Sequence, residues 1–415
     1  MNIPNDCKAA FAQTNITPDF PVEMIGCYRK SNRPDGVLHP LHAQVLLFEH
    51  QTIRCCLITI DSLGLTVQLA NELREMVAKV LSTSAVDVML NFSHTHSAPA
   101  PKSPVNGQKY FALLCRRIIN CAKQALKNLQ PCLAAWALGK TDIGENRRNG
   151  CTITDKHLGA LQITHAISKK PIAVLLRVSA HANTLMSKSQ KISSDYIGVA
   201  RESLAIKWNC PVMIMQGAAG NTKPAGVDTI NGGDLKDTLR IANMLVQSAL
   251  HFNFAPKEIT RLQMYETEIN FYSDVPSEKE ALQIVEKAGF DAKSWLAECA
   301  RLKSAGIDEQ MQTNHIQFLF LNEGCLCGVP DEIFCEIALQ IAKDCNDPLL
   351  LFNGYTNGCT GYLPHREEWV KGGYETFDSY LQYYMFHGHA LPFRADTAER
   401  LVNAVDDAYR RYALT

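Results

Sequence analysis

The chain has 415 residues, with 41 lysines and arginines against 42 aspartates and glutamates. This balance argues against a protein that binds nucleic acid through a broad basic face, and the 46% hydrophobic content argues against intrinsic disorder. No apolar run approaches the roughly 18 residues of a membrane span, and the first 20 residues do not resemble a secretory signal. We therefore expect a cytoplasmic protein without a membrane span.

Strand-like and helix-like segments alternate along the chain. Apolar and β-branched runs predict strands over 44–48, 53–60, 86–92, 172–178, 211–216, 316–321 and 348–352. Helical spacing of apolar residues predicts helices over 66–81, 110–129, 196–206, 234–252 and 395–412. The alternation predicts an α/β protein in which mixed β-sheets are flanked by helices.

The segment 275–312 is richer in lysine, glutamate and alanine than its surroundings, and it predicts two helices that form an arm or lid. The chain has no low-complexity linker and no evident repeat. We therefore expect one catalytic domain over residues 1–415, with this segment as an appendage of it.

Fifteen cysteines are scattered along the chain, and no Cys-x-x-Cys motif is present. A zinc ribbon or a thioredoxin-type site therefore has no support, and a disulfide scaffold is typical of much smaller secreted domains. We expect reduced cysteines that pack as small apolar residues, in keeping with a reducing compartment.

The most informative local motif is Asn91-Phe-Ser-His94-Thr-His96-Ser97, which follows a predicted strand. In an extended chain, residues i and i+2 point to the same face, so His94 and His96 would present two imidazoles to one metal ion. Zinc readily accepts such ligands. Two histidines that are merely hydrogen-bonded at a strand end explain the motif equally well.

A further histidine, His181, also follows an apolar strand, at the place where sites of α/β sheets are usually found. Taken alone, it is more often structural. A second His-x-His pair, His387 and His389, has no further metal-ligand types close to it in the sequence. It could lie at the mouth of a site or have a structural role.

Other motifs stand in a collinear order that covers nearly the whole chain. They are Asn15-Ile-Thr-Pro18, Ile58-Thr-Ile-Asp61, His94-Thr-His96-Ser97, Asn146-Arg147-Arg148, Ser179-Ala-His181, Ile192-Ser-Ser-Asp195, Gln216-Gly-Ala-Ala-Gly220, Gly328-Val-Pro330-Asp-Glu332, Asn357-Gly-Cys-Thr-Gly-Tyr362 and Gly373-Tyr374-Glu375. This order resembles the catalytic domain of the neutral (alkaline, non-lysosomal) ceramidase family. We expect the catalytic domain without a counterpart of that family's additional C-terminal β-domain.

The resemblance implies a site with one zinc ion per chain, held by His94, His96, His181, Glu332 and Tyr362. By itself Glu332 would be an acidic residue in the first turn of a helix, and Tyr362 would be a packing residue. Zinc in such a site lowers the pKa of its bound water to about 7. The family also places a second tyrosine at the spacing of Tyr374, whose hydroxyl would polarise the substrate carbonyl.

The chain departs from the family at Gly220-Asn-Thr-Lys223-Pro224, because ceramidases carry Gly-Asp-x-Ser-Pro there. Lys223 therefore replaces the family's active-site serine, which makes ceramide a doubtful substrate. Either Lys223 contacts an anionic group of the substrate, or it is solvated in a turn. Arg147 and Arg148 match a family arginine pair that suits anion or carbonyl recognition, although salt bridges would explain them as well. Together with Asn221, these three form the expected substrate-binding group.

The sequence thus predicts a zinc-dependent hydrolase that cleaves an amide (N-acyl) bond in a soluble, small-molecule substrate other than ceramide. Attack by zinc-activated water needs no serine. A zinc-dependent esterase or lactonase is the first alternative, since it would use the same chemistry. A metal-bearing binding protein without catalytic activity is the second. The oligomeric state is left open.

Overall fold

The computed structural model of the chain describes residues 6–228, 232–289 and 291–413. Its strands, in chain order, are β1 (Cys7–Asn15), β2 (Gly36–Val37), β3 (His42–His50), β4 (Ile53–Ile60), β5 (Val88–Phe92), β6 (Gln130–Lys140), β7 (Gly144–Asn146), β8 (His157–His165), β9 (Pro171–Val178), β10 (Lys191–Ile192), β11 (Val212–Gln216), β12 (Thr222–Pro224), β13 (Leu262–Asp274), β14 (Glu309–Leu321), β15 (Gly324–Gly328), β16 (Glu332–Ile333), β17 (Leu350–Asn353) and β18 (Tyr362–Leu363). Its helices are α1 (Val67–Leu81), α2 (Gly107–Lys127), α3 (Asp195–Trp208), α4 (Leu235–Ala249), α5 (Glu278–Ala288), α6 (Lys293–Ser304), α7 (Cys335–Cys345), α8 (Arg366–Lys371), α9 (Ser379–His387) and α10 (Thr397–Ala413).

The largest sheet has eight strands in the order β11-β9-β8-β6-β1-β3-β4-β5. The two outermost pairs, β9–β11 and β4–β5, are parallel, whereas the inner pairs are antiparallel. A second sheet has the order β13-β14-β15-β17, with β15 and β17 parallel. These mixed sheets, flanked by helices, confirm the predicted fold class.

The two sheets pack face to face through one apolar cluster. The larger sheet contributes Leu57, Leu161 and Leu175, and the smaller sheet contributes Leu319 and Leu326. Each of these side chains is at most 1% exposed. Because burial of one leucine side chain contributes about 1.5–3 kcal/mol, this layer is a major source of stability.

Helices cover the outer faces of both sheets. Helices α1 and α2 pack on the half of the large sheet that contains β5, and α3 and α4 pack on the half that contains β11. Helices α7 and α10 cover the small sheet. In α2 the apolar side chains Leu114, Ile118 and Ala122 recur at helical spacing and are fully buried. The result is a four-layer arrangement of helices, sheet, sheet and helices.

The segment between β13 and β14 contains the helices α5 and α6, which lie within the predicted arm or lid. The predicted range 275–312 is too long, because Glu309 to Gln312 belong to β14, where they pair with β13. One residue of that range, at position 290, lies outside the described residues. The side chain of Trp295 in α6 is fully buried, and its indole nitrogen donates to the Ala390 carbonyl at 2.6 Å. The pair of helices therefore packs against the segment that follows α9.

Asn91 connects three strand ends that are far apart in sequence. Its side-chain oxygen accepts from the Gln216 amide at 2.7 Å, and its side-chain nitrogen donates to the carbonyls of Gln216 at 3.1 Å and Gly354 at 3.0 Å. Asn357 adds a further connection, because its side-chain oxygen accepts from the Leu90 amide at 2.9 Å. The ends of β5, β11 and β17 consequently meet at one place.

Most cysteines are buried, and those on β4 and β15 are at most 1% exposed. Burial raises the pKa of Cys56, Cys325 and Cys327, so these thiols stay protonated at neutral pH. Among the helices of the described residues, none has the length and apolar character needed to cross a membrane.

Candidate metal centre

His94 and His96 lie just beyond the end of β5, where the chain is no longer extended. Strand β5 ends at Phe92, and His94 has a left-handed backbone conformation with φ of 58°. The expectation that an extended chain would direct both imidazoles to one face is therefore wrong in its geometry. Instead, a turn brings the rings together, with centroids 4.9 Å apart. A non-glycine residue in this conformation costs about 1–2 kcal/mol, a strain typical of functional sites.

Each of the three histidines is oriented by a backbone carbonyl. The Nδ1 atoms of His94, His96 and His181 lie 2.6, 2.6 and 2.7 Å from the carbonyl oxygens of Leu63, Gly26 and Ala219. Because a carbonyl only accepts, Nδ1 carries the proton in each ring, and Nε2 keeps its lone pair. This is the tautomer that a ligand to a metal through Nε2 requires.

The three rings form a compact group, in which one nitrogen from each ring lies within 4.8 Å of the others. His181, at the end of β9, is fully buried, and its ring centroid is 4.7 Å from that of His94. The Nε2 atoms of all three are buried and have no hydrogen-bond partner among the described residues. Three buried lone pairs that point at one place call for a cation.

Glu332 supplies a carboxylate to the same place. Its Oε2 atom lies 3.2 Å from Nε2 of His94 and 3.0 Å from Nε2 of His181. Two atoms that carry only lone pairs repel each other at such distances, unless a cation lies between them. Separations of about 3–3.5 Å are also those of neighbouring ligands around zinc, whose ligand bonds are about 2 Å long.

Glu332 and Tyr362 are held together by the backbone. They are direct partners in the short parallel ladder of β16 and β18, and the Glu332 amide donates to the Gly361 carbonyl at 2.8 Å. Glu332 therefore lies in a strand, and not in the first turn of a helix, since α7 begins only at Cys335. Gly220 packs directly behind it, because an added Cβ would lie 2.2 Å from the Glu332 carbonyl oxygen. This contact explains why the motif requires glycine.

The protonation states of these groups suit a metal site. Burial lowers the pKa of His96 well below its usual range and that of His181 to about 3. Burial opposes ionisation of Glu332, and positive charge beside it, on protonated His94 and His181 or on a metal ion bound in place of those protons, holds the pKa of this carboxyl well below its usual value. Neutral imidazoles and an ionised carboxylate are the forms that bind metal, so the donor set fits zinc.

Tyr362 is linked to Arg147. Nη1 of Arg147 donates to the Tyr362 hydroxyl at 3.3 Å and lies 3.0 Å from a Glu375 carboxylate oxygen. Burial, reinforced by the charge of Glu332, raises the pKa of Tyr362 well above its usual value. Burial alone would lower the pKa of Arg147, but Tyr362, Glu375 and Glu332 raise it. Arg147 is therefore a fixed positive charge behind the tyrosine.

A cavity of about 480 Å³, the metal-side cavity, opens onto these groups. Its lining includes His94, His96, Glu332, Tyr362 and Tyr374. Tyr374 is 42% exposed, and its ring centroid is 6.4 Å from that of Tyr362. The loop 25–32 and parts of the segment 379–387 complete the wall. The structure thus brings the predicted metal ligands and Tyr374 to one place, with His181 buried directly behind His94.

None of the four predicted substrate-binding residues, Arg147, Arg148, Asn221 and Lys223, is among the described residues that line this cavity. Arg148 donates through Nε to Glu368 at 2.7 Å and through Nη2 to the Gly372 carbonyl at 2.8 Å. Asn221 is 4% exposed; its side chain donates to Glu336 at 2.7 Å and accepts from the Cys335 amide at 2.9 Å, at the start of α7. Both side chains thus connect elements that surround the metal centre.

Lys223 lies on β12, opposite Glu145 on β7. Its ammonium group is 3.3 Å from the Glu145 carboxylate and donates to the Val227 carbonyl at 3.1 Å. It lines a second cavity, also of about 480 Å³, together with Arg147 and Glu375. We call this the lysine-side cavity; Arg147 in its lining contacts Tyr362, which lines the metal-side cavity.

Sequence reasoning missed three residues at the centre. Cys359 was not expected near zinc, yet its sulfur lies within 4.8 Å of ligand atoms of His94 and Glu332. The ring of Tyr355 is 4.6 Å from that of His94, and its backbone is left-handed, with φ of 51°. Arg29 lines the metal-side cavity from the loop before β2. Cys359 could have been noticed from its place three residues before Tyr362, but Arg29 had no motif to mark it.

The second His-x-His pair is divided between two environments. His387 lines the metal-side cavity, and its Nδ1 atom is hydrogen-bonded to the Thr360 carbonyl. His389 is not part of that lining; its ring packs on Phe393 with centroids 4.2 Å apart. Within this motif, His387 therefore lies at the cavity, and His389 has a structural role.

Two solved structures share this fold. The neutral ceramidase from Pseudomonas aeruginosa superposes with a TM-score of 0.71 and 16% identity, over 95% of this chain and 75% of that one. A ceramidase complexed with C2 superposes with a TM-score of 0.72 and 15% identity, over 99% of this chain and 76% of that one. No family profile matches the chain, and no curated protein matches it in sequence. The chain therefore has the neutral ceramidase fold, as the order of its motifs indicated.

Proposed function

We propose that the protein is a zinc-dependent hydrolase that cleaves an amide (N-acyl) bond in a soluble substrate other than ceramide. The observation that carries the proposal is the set of buried imidazole Nε2 atoms without partners, which converge with the Glu332 carboxylate and Tyr362 at the wall of a cavity. Such a set leaves zinc with a net positive charge and access to substrate. The fold that the chain shares with ceramidases supports the same reaction class.

His94, His96, His181, Glu332 and Tyr362 would hold the metal. Zinc, when bound there, supplies Lewis acidity and lowers the pKa of a bound water to about 7. Glu332 and the neutral imidazoles set its charge, and the backbone pairing of Glu332 with Tyr362 fixes its two oxygen donors relative to each other.

Tyr374 would act on the other side of the scissile carbonyl. Tyr374 is one of the residues that line the cavity, and partial burial, together with nearby Tyr383, raises its pKa above the usual value, so its hydroxyl remains a proton donor. A hydroxyl aimed at the carbonyl oxygen stabilises the negative charge that develops there. Arg147 keeps Tyr362 in place from behind, through its contact with Glu375.

The substrate side of the proposal concerns Lys223, Arg147, Arg148 and Asn221. We retain Arg147 as the member of this group closest to the reacting centre, since it touches Tyr362. Lys223 faces the lysine-side cavity, so it would contact substrate only if the substrate reached that cavity. A substrate confined to the metal-side cavity would leave Lys223 without a direct role.

Metal analysis provides the first test. Protein purified after expression with added zinc should contain about one zinc per chain. The His181→Ala variant should lose most of this metal, whereas His165→Ala, a partly exposed histidine at the end of β8 whose described side-chain contacts are with Ser168 and Ile167, should keep it. Equal zinc content in both variants would overturn the metal assignment.

Substrate screening provides the second test. N-acyl amino acids, N-acyl amino sugars, ceramide and the matching esters would be offered to the zinc-loaded protein. We expect hydrolysis of at least one soluble amide, with no measurable ceramide cleavage. The esters are included because both reactions pass through a similar tetrahedral species. Hydrolysis of esters alone would favour the esterase or lactonase alternative. Zinc binding without any hydrolysis would favour the binding protein.

A further inference from the structure

Arg29 is a buried arginine in the wall of the metal-side cavity. It is 5% exposed and lies on the loop between β1 and β2. Its Nε atom donates to the Ser189 carbonyl at 3.1 Å, and its Nη2 atom donates to the carbonyl of His96, a proposed metal ligand, and lies 3.4 Å from Oγ of Ser97. The guanidinium is thus held in a fixed orientation next to the metal centre.

The third nitrogen of this guanidinium, Nη1, is buried and has no hydrogen-bond partner among the described residues. No salt bridge joins Arg29 to a carboxylate within the described ranges, and its observed acceptors are neutral oxygens. Burial raises the pKa of the adjacent Cys27, whose thiol therefore stays protonated and adds no negative charge. A buried charge that lacks both a counter-ion and one of its acceptors is costly.

The side chains that line the cavity carry more positive than negative charge. Of the residues that line it in the described part of the chain, the cationic ones are Arg29, Lys30 and Lys102, and the only carboxylate is Glu332. Glu332 is turned toward the imidazoles of His94 and His181. Once its charge is used for a divalent ion, nothing in the lining remains to balance Arg29. The cavity therefore favours a ligand with its own negative charge.

We infer that Arg29 is an anion-binding residue of the metal-side cavity, and that the substrate carries a carboxylate group beside the bond to be cleaved. The inference rests on the proposed function, because it names the substrate class of that same site. A carboxylate fits better than a phosphate, because Nε and Nη2 of Arg29 already donate to backbone carbonyls and only Nη1 is left to donate, whereas a phosphate dianion presents more acceptor oxygens.

Different groups of the cavity would hold the two ends of the substrate. The metal and Tyr374 would act on the amide group, and Arg29 would fix the end of the substrate that carries the carboxylate. Because Nη2 of Arg29 contacts the His96 carbonyl, the anion and the metal would be held by adjacent parts of one rigid unit. A neutral lipid amide offers nothing for Arg29 to bind, which agrees with the choice of a soluble substrate.

A pair of hydroxamates tests the inference without a known substrate. Succinic monohydroxamic acid and butanohydroxamic acid have the same chain length and the same metal-binding group, but only the first has a carboxylate. A second pair, glutaric monohydroxamic acid and pentanohydroxamic acid, extends the spacer by one carbon. Binding to the zinc-loaded protein would be measured by calorimetry. We expect the carboxylated member of at least one pair to bind roughly tenfold tighter or more.

Variants identify the group that recognises the carboxylate. In Arg29→Gln the preference for the carboxylated hydroxamate should disappear while the affinity for the neutral one is kept, and Arg29→Lys should restore part of it. Lys30→Gln is the matched control, because it removes one positive charge from the same loop. It should reduce the preference by no more than about twofold, as expected for a more exposed charge.

The outcomes separate the two proposals. If neither member of a pair binds the zinc-loaded protein, the proposed metal centre fails. If both members bind equally in both pairs, the metal centre stands and the inference about the carboxylate is wrong. If Arg29→Gln weakens both members by the same factor, Arg29 only supports His96, and the inference is again wrong. An equal loss of preference in Lys30→Gln would show that general charge, and not Arg29, selects the anion.

Discussion

The metal-side and lysine-side cavities have the same volume of about 480 Å³, and Tyr362 in the lining of the first contacts Arg147 in the lining of the second. They differ in whether their polar and charged groups have partners. In the metal-side cavity, the buried donor atoms of the histidines and Nη1 of Arg29 have no partner among the described residues. In the lysine-side cavity, Lys223 is paired with Glu145 and Arg147 with Glu375, and Nε of Arg147 is the buried atom that lacks a partner among the residues that the structure describes. The charges of the second cavity are therefore paired, whereas the first cavity combines several unpartnered ligand atoms with an arginine that has no described counter-ion.

This difference shows why charge or residue type alone is a weak guide to function. Lys223 departs from the family motif and therefore attracts attention, but its charge is already balanced by Glu145. Arg29 belongs to no motif, and its charge is not balanced by any described carboxylate. The state of pairing, which only the folded structure reveals, separates the two.

The largest effect should come from the metal ligands. His94→Ala removes one imidazole from a buried donor set, so we expect zinc content to fall to below about a tenth of wild type and hydrolysis to fall by about a thousandfold or more. Zinc would be measured by elemental analysis and turnover with the best substrate of the screen. Full zinc occupancy together with full activity would show that the unpartnered histidine atoms of the metal-side cavity do not mark a metal site.

Tyr374→Phe should have the next largest effect on catalysis. Loss of one donor to a developing oxyanion lowers kcat by about 100- to 1000-fold, whereas zinc content should be unchanged, because Tyr374 is not among the proposed ligands. Tyr383→Phe, which alters another tyrosine of the same cavity wall, is the matched control and should change kcat by only a few fold. Equal losses in both variants would argue against a specific role for Tyr374.

Asp155 provides a test of a buried pair that is structural. It lies 2.9 Å from Oγ of Ser179 and forms a buried salt bridge with Arg177 on β9, the strand that leads to His181. Removal of one partner of such a pair costs about 3–5 kcal/mol, so Asp155→Asn should lower the free energy of urea unfolding by about that amount. Asp142→Asn, at an exposed pair with Lys156, should lower it by less than about 1 kcal/mol.

The same pair predicts a pH dependence of stability. Burial opposes ionisation of Asp155, but Arg177 and His157 outweigh it and hold the pKa of Asp155 well below its usual value. Since the pKa is lower in the folded state, its stabilising contribution is fully present above the unfolded value of about 3.9 and is lost as the pH falls below it. Unfolding curves between pH 6 and pH 3 should therefore show a smaller loss in Asp155→Asn than in wild type.

Lys223→Gln should have the smallest effect. The lysine is partly exposed, with its ion pair to Glu145 at the surface, and such a pair contributes less than about 1 kcal/mol. We expect kcat/KM to change by less than about twofold for a substrate that fits the metal-side cavity. A rise in KM of tenfold or more would show that the substrate extends into the lysine-side cavity and that Lys223 reads it.

Much of the candidate site could be predicted from the sequence, because the donor residues stand in motifs whose order is characteristic. His94, His96, His181, Glu332 and Tyr362 were named from that order, and they converge in the fold. The geometric reason given for the first two was wrong, however. Their spacing indicates an extended chain, whereas the structure has a left-handed turn at His94, whose ring donates to the carbonyl of Leu63 in a distant segment.

The rest of the site could not be predicted because it depends on tertiary contacts. Arg29 is a candidate for substrate binding because it is buried and has an unpartnered nitrogen, and neither property can be read from a single sequence. For the same reason, the strand β14 begins earlier than predicted: Glu309 and Gln310 are polar and read as the end of the helical arm, yet they pair with Asp274 and Ser273 of β13. Pairing with a long partner strand can override local composition.

The side chain of Asn91 has a consequence for the order in which the protein is assembled. Its acceptors include Gly354, which is 263 residues away in sequence, and the neighbouring contact between Leu90 and Asn357 spans 267 residues. Closure of such long loops is slow and entropically unfavourable until other contacts have formed. During synthesis, the histidines emerge long before Glu332 and Tyr362, so the five proposed ligands come together only after residue 362 has left the ribosome. Binding of metal at the proposed site would therefore be a late event in the maturation of this protein.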